Sequence, residues 1–153
     1  MNDVTLAWNA NTAVNDVLLK HLTPTMLEAV TPGNGSIVAQ HLTHMVECLK
    51  YWAGELEANA VKDLPDLLDT TGGLDAGNDL ERIQSVFKET YKAVLISALN
   101  AKDRGNLPHA TVGKFLMYTV AHDAHHRGQI LLALKTNGHA LPDEASMWQP
   151  WNS

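Results

Sequence analysis

Between Val4 and Leu22 the apolar residues Val4, Leu6, Ala7, Trp8, Ala13, Val14, Val17, Leu18 and Leu22 recur at helical spacing. The pattern stops at Thr23-Pro24, because a residue preceding proline avoids the helical region. This predicts a helix over about 3–22. The turn cluster "TPGNGS" then leads into "IVAQHLTHMVECLKYWAGELEANAV", which predicts a second helix over about 36–60 with Ser36 as its N-cap. The stretch "KDLPDLLDTTGGLDAGND" is rich in Pro, Gly, Asp and Thr and reads as the longest loop. Residues 61–78 are thus expected to form either a lid or a surface crossover.

A third helix is expected over about 79–101. Asp79 caps it, and its apolar stripe is Leu80, Ile83, Val86, Phe87, Tyr91, Val94, Leu95 and Ala98, before "KDRGNLPH" breaks the pattern. The fourth, over about 111–136, begins at Thr111 and stops at Asn137-Gly138, a pair suited to a left-handed terminus. The tail "HALPDEASMWQPWNS" reads as irregular, with Trp148 and Trp151 expected to fold back onto the bundle or onto a second subunit. Without repeats, low-complexity tracts or β-alternation, the economical architecture is all-α: a single domain over 1–153 folded as a four-helix bundle.

At 153 residues one hydrophobic core can be built without disulfides. The hydrophobic share of 45% and charged share of 18% are those of a soluble protein, and no run approaches the roughly 18 apolar residues of a membrane span. Asp3 lies where a secretory peptide would carry basic residues, and no apolar run or cleavage site follows it, so the expected location is cytoplasmic. The single cysteine, Cys48, agrees with a reducing compartment. A net charge of -6, with scattered basic residues, argues against nucleic-acid binding.

The helical pattern gains chemistry at "TVAHDAHHRGQILL", which places histidines at 122, 125 and 126 in mid-helix. Residues at i and i+4 share a helix face, so His122 and His126 can share a metal, while His125 lies at the edge. Phe115, Tyr118, Gln129 and Ala133 complete a mixed stripe that suits an inward face lining a polar pocket. On the second helix Ile37, Gln40, His41, His44, Cys48 and Tyr51 share a face. One histidine from there would complete a three-imidazole set. With an open fourth position, such a set is that of catalytic zinc, although nickel, iron, cobalt or manganese also accept it.

Other readings compete. Histidines are commonly surface groups or hydrogen-bonded core groups, and His21, His109 and His139 need no function. His41 and His125 could each replace its neighbour as ligand, and otherwise read as pocket-wall or supporting groups. Cys48 reads first as a small buried hydrophobe. The segment "HDAHH" also scans as a shortened HExxH peptidase motif. Asp123 is one methylene too short for the glutamate's task, and no strands accompany Glu144, the conceivable downstream ligand.

Together, "HLTHMVECLKYW", "HDAHHRGQI", an "LP" turn and a Trp-rich end resemble the DinB-like (damage-inducible) family, also called YfiT-like metal-dependent hydrolases, over nearly the whole chain. The resemblance implies a four-helix bundle with a long crossover, frequent homodimers and a three-histidine metal site at His44, His122 and His126. Arg127 and Gln129 match the rest of the motif, where a structural ion pair or hydrogen bond is expected. Gly128, costly inside a helix by about 1 kcal/mol, suggests the close approach of another group.

The resemblance further implies one divalent metal per chain, zinc or nickel first, and a thiol S-transferase chemistry with a low-molecular-weight thiol as co-substrate and a small electrophilic molecule as acceptor. Tyr118 and Gln129 are the candidate catalytic residues for orienting substrate or supplying a proton, with Cys48 nearby. A metal-dependent hydrolase using bound water and a non-catalytic stress-response or binding module with a structural metal are the alternatives.

Overall fold

The computed structural model describes residues 3–75, 79–101, 109 and 111–152. Five α-helices occur among them: α1 (Asp3–His21), α2 (Val38–Leu56), the short α3 (Ala58–Val61), α4 (Leu80–Ala101) and α5 (Val112–Thr136). Two 3-10 segments, Pro24–Glu28 and Glu144–Trp151, complete the regular structure. No β-strand is present among the described residues, only the isolated bridges Val30 to Ile37 and Leu68 to Leu74. The fold is all-α; α1, α4 and α5 span Asp3–His21, Leu80–Ala101 and Val112–Thr136, against expected spans of about 3–22, 79–101 and 111–136, whereas α2 is shorter at both ends than its expected 36–60.

The chain divides into two compact units, Met1–Leu42 with Val120–Ser153, and Thr43–Thr119. The divisions fall inside α2 and α5, each of which continues as one helix. In the first unit Trp8, Val14, Leu18 and Leu19 of α1 are buried, as are Ile130, Ala133 and Leu134 of α5. The segment Glu144–Trp151 packs on α1, with Met147 buried. In the second unit Ile83, Val86, Phe87, Tyr91, Val94 and Ala98 form the buried stripe of α4, against which α3 packs.

Local chemistry fixes the helix ends. Asp79 accepts the Arg82 N–H at 2.8 Å and Thr111 accepts the Lys114 N–H at 3.1 Å, the two expected N-caps. At the end of α5, Gly138 adopts φ +79°, its N–H donates to Lys135 and that of His139 donates to Leu134, closing the helix with paired reverse bonds. Ser36 is not the cap of α2. Its carbonyl turns back to accept from Thr31, and the helix starts at Val38, with the Gln40 side chain accepting the N–H of Ile37 at 2.9 Å.

The second helix also stops sooner than its pattern suggests. Glu57 is extended at φ -156° and separates α2 from α3. The tail is not irregular: Asp143 caps the 3-10 segment by accepting from Ser146 N, and neither Trp148 nor Trp151 is buried. Met147 anchors that segment instead. The break expected at "KDRGNLPH" lies outside the described residues except for His109, as does part of the long loop at residues 76–78. The preceding part of that loop is fastened down. Buried Lys50 pairs with Asp66 and donates to Pro65 O, Glu47 accepts the Leu67 N–H, and Leu67 is fully buried.

Candidate metal centre

The positions of Asp123 and Arg127 determine which way the mid-helix histidines of α5 point. Both charged side chains are buried. Asn11 and Asn15, one turn apart on α1, each donate an amide to Asp123 Oδ2, at 2.6 and 2.9 Å. Each also accepts from Arg127 Nη1, at 2.7 and 2.6 Å. Carboxylate and guanidinium are therefore joined through two amides whose orientation is fixed by what each end must bind. Burying these groups unpaired would cost several kcal/mol, about 3–5 for a broken pair, so the network holds α5 in one rotation against α1.

That rotation places His122 and His126 on an adjoining, half-buried face, with ring centroids 4.5 Å apart. His125 is exposed at the edge of this face, 5.1 Å from the His126 ring. From the first turn of α2, His41 brings Nδ1 to 3.1 Å from Nδ1 of His126, and its Nε2 lies 3.0 Å from the Thr31 hydroxyl. His44, one turn further along α2, is exposed.

One ligand atom each of His44, His122 and His126 lie within 4.8 Å of one another, and among the described residues no carboxylate or thiol joins this cluster. A tetrahedral site with bonds of about 2.0–2.1 Å requires nitrogens about 3.4 Å apart, so modest side-chain rotation suffices. Three neutral imidazoles, one of them open to solvent, fit a divalent metal that keeps a position for an exchangeable ligand. His41, three residues before His44, and His125, adjacent to His126, remain outside it.

The DinB family model matches residues 1–152. The chain belongs to the DinB family. No curated protein and no solved structure matches it. The DinB assignment agrees with the all-α fold and with the three-histidine cluster.

The remaining sequence expectations divide. Arg127 is held by structural hydrogen bonds as anticipated, and Asp123 is a fully buried partner in the same network. Gly128 meets no close neighbour: a Cβ there would find nothing within 4 Å, and the residue borders a cavity of about 100 Å³ with Val14, Leu131, Met147 and Trp148. Glu144 pairs with Lys135 at 2.6 Å and takes no part in the cluster. Cys48 and Gln129 are half-buried. The mixed stripes are not uniformly inward, since Gln40, His44, Tyr51 and Tyr118 are exposed while Phe115 and Ala133 are buried.

Tyr118 stacks on His109, with centroids 4.4 Å apart, and Trp52 meets the same imidazole edge-on at 4.8 Å. His109 therefore belongs to an aromatic box that periodicity could not reveal, because it lies beyond any helix at φ +61°. Asn11 and Asn15 were legible in principle. A polar i, i+4 pair inside the stripe of Trp8, Val14 and Leu18 must find buried partners.

Proposed function

We propose that this chain binds one divalent metal through His44, His122 and His126 and transfers a low-molecular-weight thiol to a small electrophilic molecule. The observation that carries this reading is the all-imidazole cluster, half-buried at His122 and His126 and exposed at His44. When bound there, a divalent cation supplies Lewis acidity that favours the thiolate over the thiol. The thiol proton leaves to solvent, sulfur forms a bond to the acceptor carbon, and the leaving group departs with its electron pair. In a conjugated acceptor the neighbouring carbon takes a proton instead.

The protein's own residues hold the donors and shape the approach. The Asn11, Asn15, Asp123 and Arg127 network orients His122 and His126, so the imidazoles need little reorganisation. On α5, Tyr118 lies one turn before His122 and Gln129 about one turn after His126. They are assigned to orienting the acceptor and supplying a proton. The same donors would serve hydrolysis through bound water, a reading supported by the solvent access at His44.

Two subunits are proposed to pair in a reducing, cytoplasmic setting. Supporting this are exposed Leu6 and Trp151, which line a groove of about 400 Å³ with Ala10, Ala13 and Pro150. Light scattering that gives a monomer mass at working concentrations would remove the pairing from the reading.

The deciding experiment is elemental analysis of untagged protein beside His44→Ala and His126→Ala. Near-stoichiometric metal in the wild type, lost in both variants, is expected. Thiol and electrophile panels, run with and without thiol, then separate transfer from hydrolysis. An absence of metal after incubation with zinc, nickel and manganese would overturn the metal site.

A further inference from the structure

The short turn before α2 does more than reverse the chain. Thr31 N–H and Thr31 Oγ1 both donate to Ser36 O, at 3.0 and 2.9 Å, and Gly35 N–H donates to Thr31 O at 3.0 Å. Gly33 at φ +80° and Asn34 at φ +59° supply the left-handed residues. Gly35 is required by contact, since a Cβ there would stand 2.9 Å from Thr31 Cβ. The result is a rigid turn that holds a buried threonine hydroxyl 3.0 Å from His41 Nε2.

Proton accounting follows from this geometry. A hydroxyl has one proton, and that of Thr31 goes to Ser36 O, so towards His41 the oxygen acts as acceptor. His41 Nε2 must then carry a hydrogen. In the neutral ring His41 Nδ1 is consequently an acceptor, and its partner at 3.1 Å, His126 Nδ1, must be the donor. A neutral His126 protonated at Nδ1 has its lone pair on Nε2.

We propose that Thr31, acting through His41, is a positioning residue that fixes His126 as the Nδ1–H tautomer and so presents Nε2 to the metal. The proposal rests on the three-histidine reading for its purpose, but the tautomer can be observed without metal. It also explains why a histidine outside the ligand set stands beside one inside it: His41 is the support whose acceptor nitrogen orients a ligand.

The test uses metal-free full-length protein at mildly alkaline pH, where imidazoles are neutral. Long-range proton–nitrogen correlation spectra of the wild type should show His41 protonated at Nε2 and His126 at Nδ1. Thr31→Ser, which keeps the hydroxyl, should retain both. Thr31→Val, of nearly the same shape, should convert the pair to a tautomer mixture and weaken zinc binding by about tenfold or more. His41→Phe, which keeps a ring without nitrogen, should release His126 in the same way if the valine variant folds poorly. A wild-type His126 protonated at Nε2, or a folded Thr31→Val with unchanged tautomers and zinc affinity, would overturn the relay. Wild-type protein that shows the expected tautomers yet takes up no zinc would sink the metal reading and with it the proposed purpose, while a wrong tautomer with normal zinc uptake would sink the relay alone.

Discussion

On α5, Asp123 and Arg127 each follow a histidine by one residue, yet the two pairs live under different rules. The charged pair is enclosed: both residues are buried, and both bond to the buried side chains of Asn11 and Asn15. The histidine pair is half-open, with His125 exposed beside it and the His41 relay behind His126. A single helix thus separates a buried polar network, which fixes orientation, from a less enclosed one that can accept a ligand. Metal-ligating imidazoles are only as well placed as the groups that fix their helix.

The strongest way to break this contrast is to uncouple the closed network. Arg127→Met should lower stability by about 3–5 kcal/mol, because it leaves a buried carboxylate without its countercharge. Urea unfolding followed by circular dichroism measures it, and a shift under about 1 kcal/mol would show that Asp123 is not held as described. Metal withdrawal addresses the open face. With free metal at 100 times its dissociation constant, chelation should remove about 2.7 kcal/mol, and His44→Ala and His126→Ala should abolish that difference. Thermal melts with and without chelator are the measurement.

Smaller effects sharpen the same comparison. In metal-free protein His122→Ala should change stability by less than about 1 kcal/mol, in contrast to Arg127 on the neighbouring face. Gly128→Ala, on a third and open side of α5, should stabilise by about 0.5–1 kcal/mol, since the helix gains propensity and no atom stands in the way. Asp69 supplies the exposed counterpart to Asp123. The Thr71 hydroxyl, then the Gly73 and Thr71 N–H groups, hold its carboxyl below the usual carboxylate range. A depressed folded value means that the stabilising contribution is present above the unfolded value and is lost as pH falls through the folded one. Protection of the Thr71 and Gly73 amides, taken as exchange relative to an unstructured chain at the same pH, should therefore fall as pH drops through the depressed Asp69 value, with little change in global stability.

The sequence carried the helices further than it carried their ends. The stripe of α4 is buried where its period puts it, and Asp79 and Thr111 cap as their side chains suggest. Ser36 misled because a serine before an apolar run looks like a cap, whereas here its carbonyl is claimed by Thr31 across a turn. The i, i+4 spacing marked His122 and His126, and family resemblance selected His44 over His41. Local sequence could not assign His41 its separate task, because that depends on Thr31, ten residues earlier and brought close only by a glycine-dependent turn. Gly128 was misjudged because a helical glycine signals either close approach or an adjoining space, and only coordinates distinguish them.

The sorting of the indole side chains has an optical consequence. Trp8 is buried at 1% exposure, whereas Trp148 and Trp151 stand at 60% and 41% in the tail packed against the same helix. Emission from the tail pair starts near the colour of indole in water and has little room to move when the chain unfolds. Trp8 sits in an apolar setting and must shift to longer wavelength, so the red edge of the spectrum reports the tail and the blue edge reports the core of the first unit. Trp52, half-buried in the second unit, emits between these extremes, so the two edges of the spectrum of the unmodified protein, rather than its maximum, distinguish tail from core without a label.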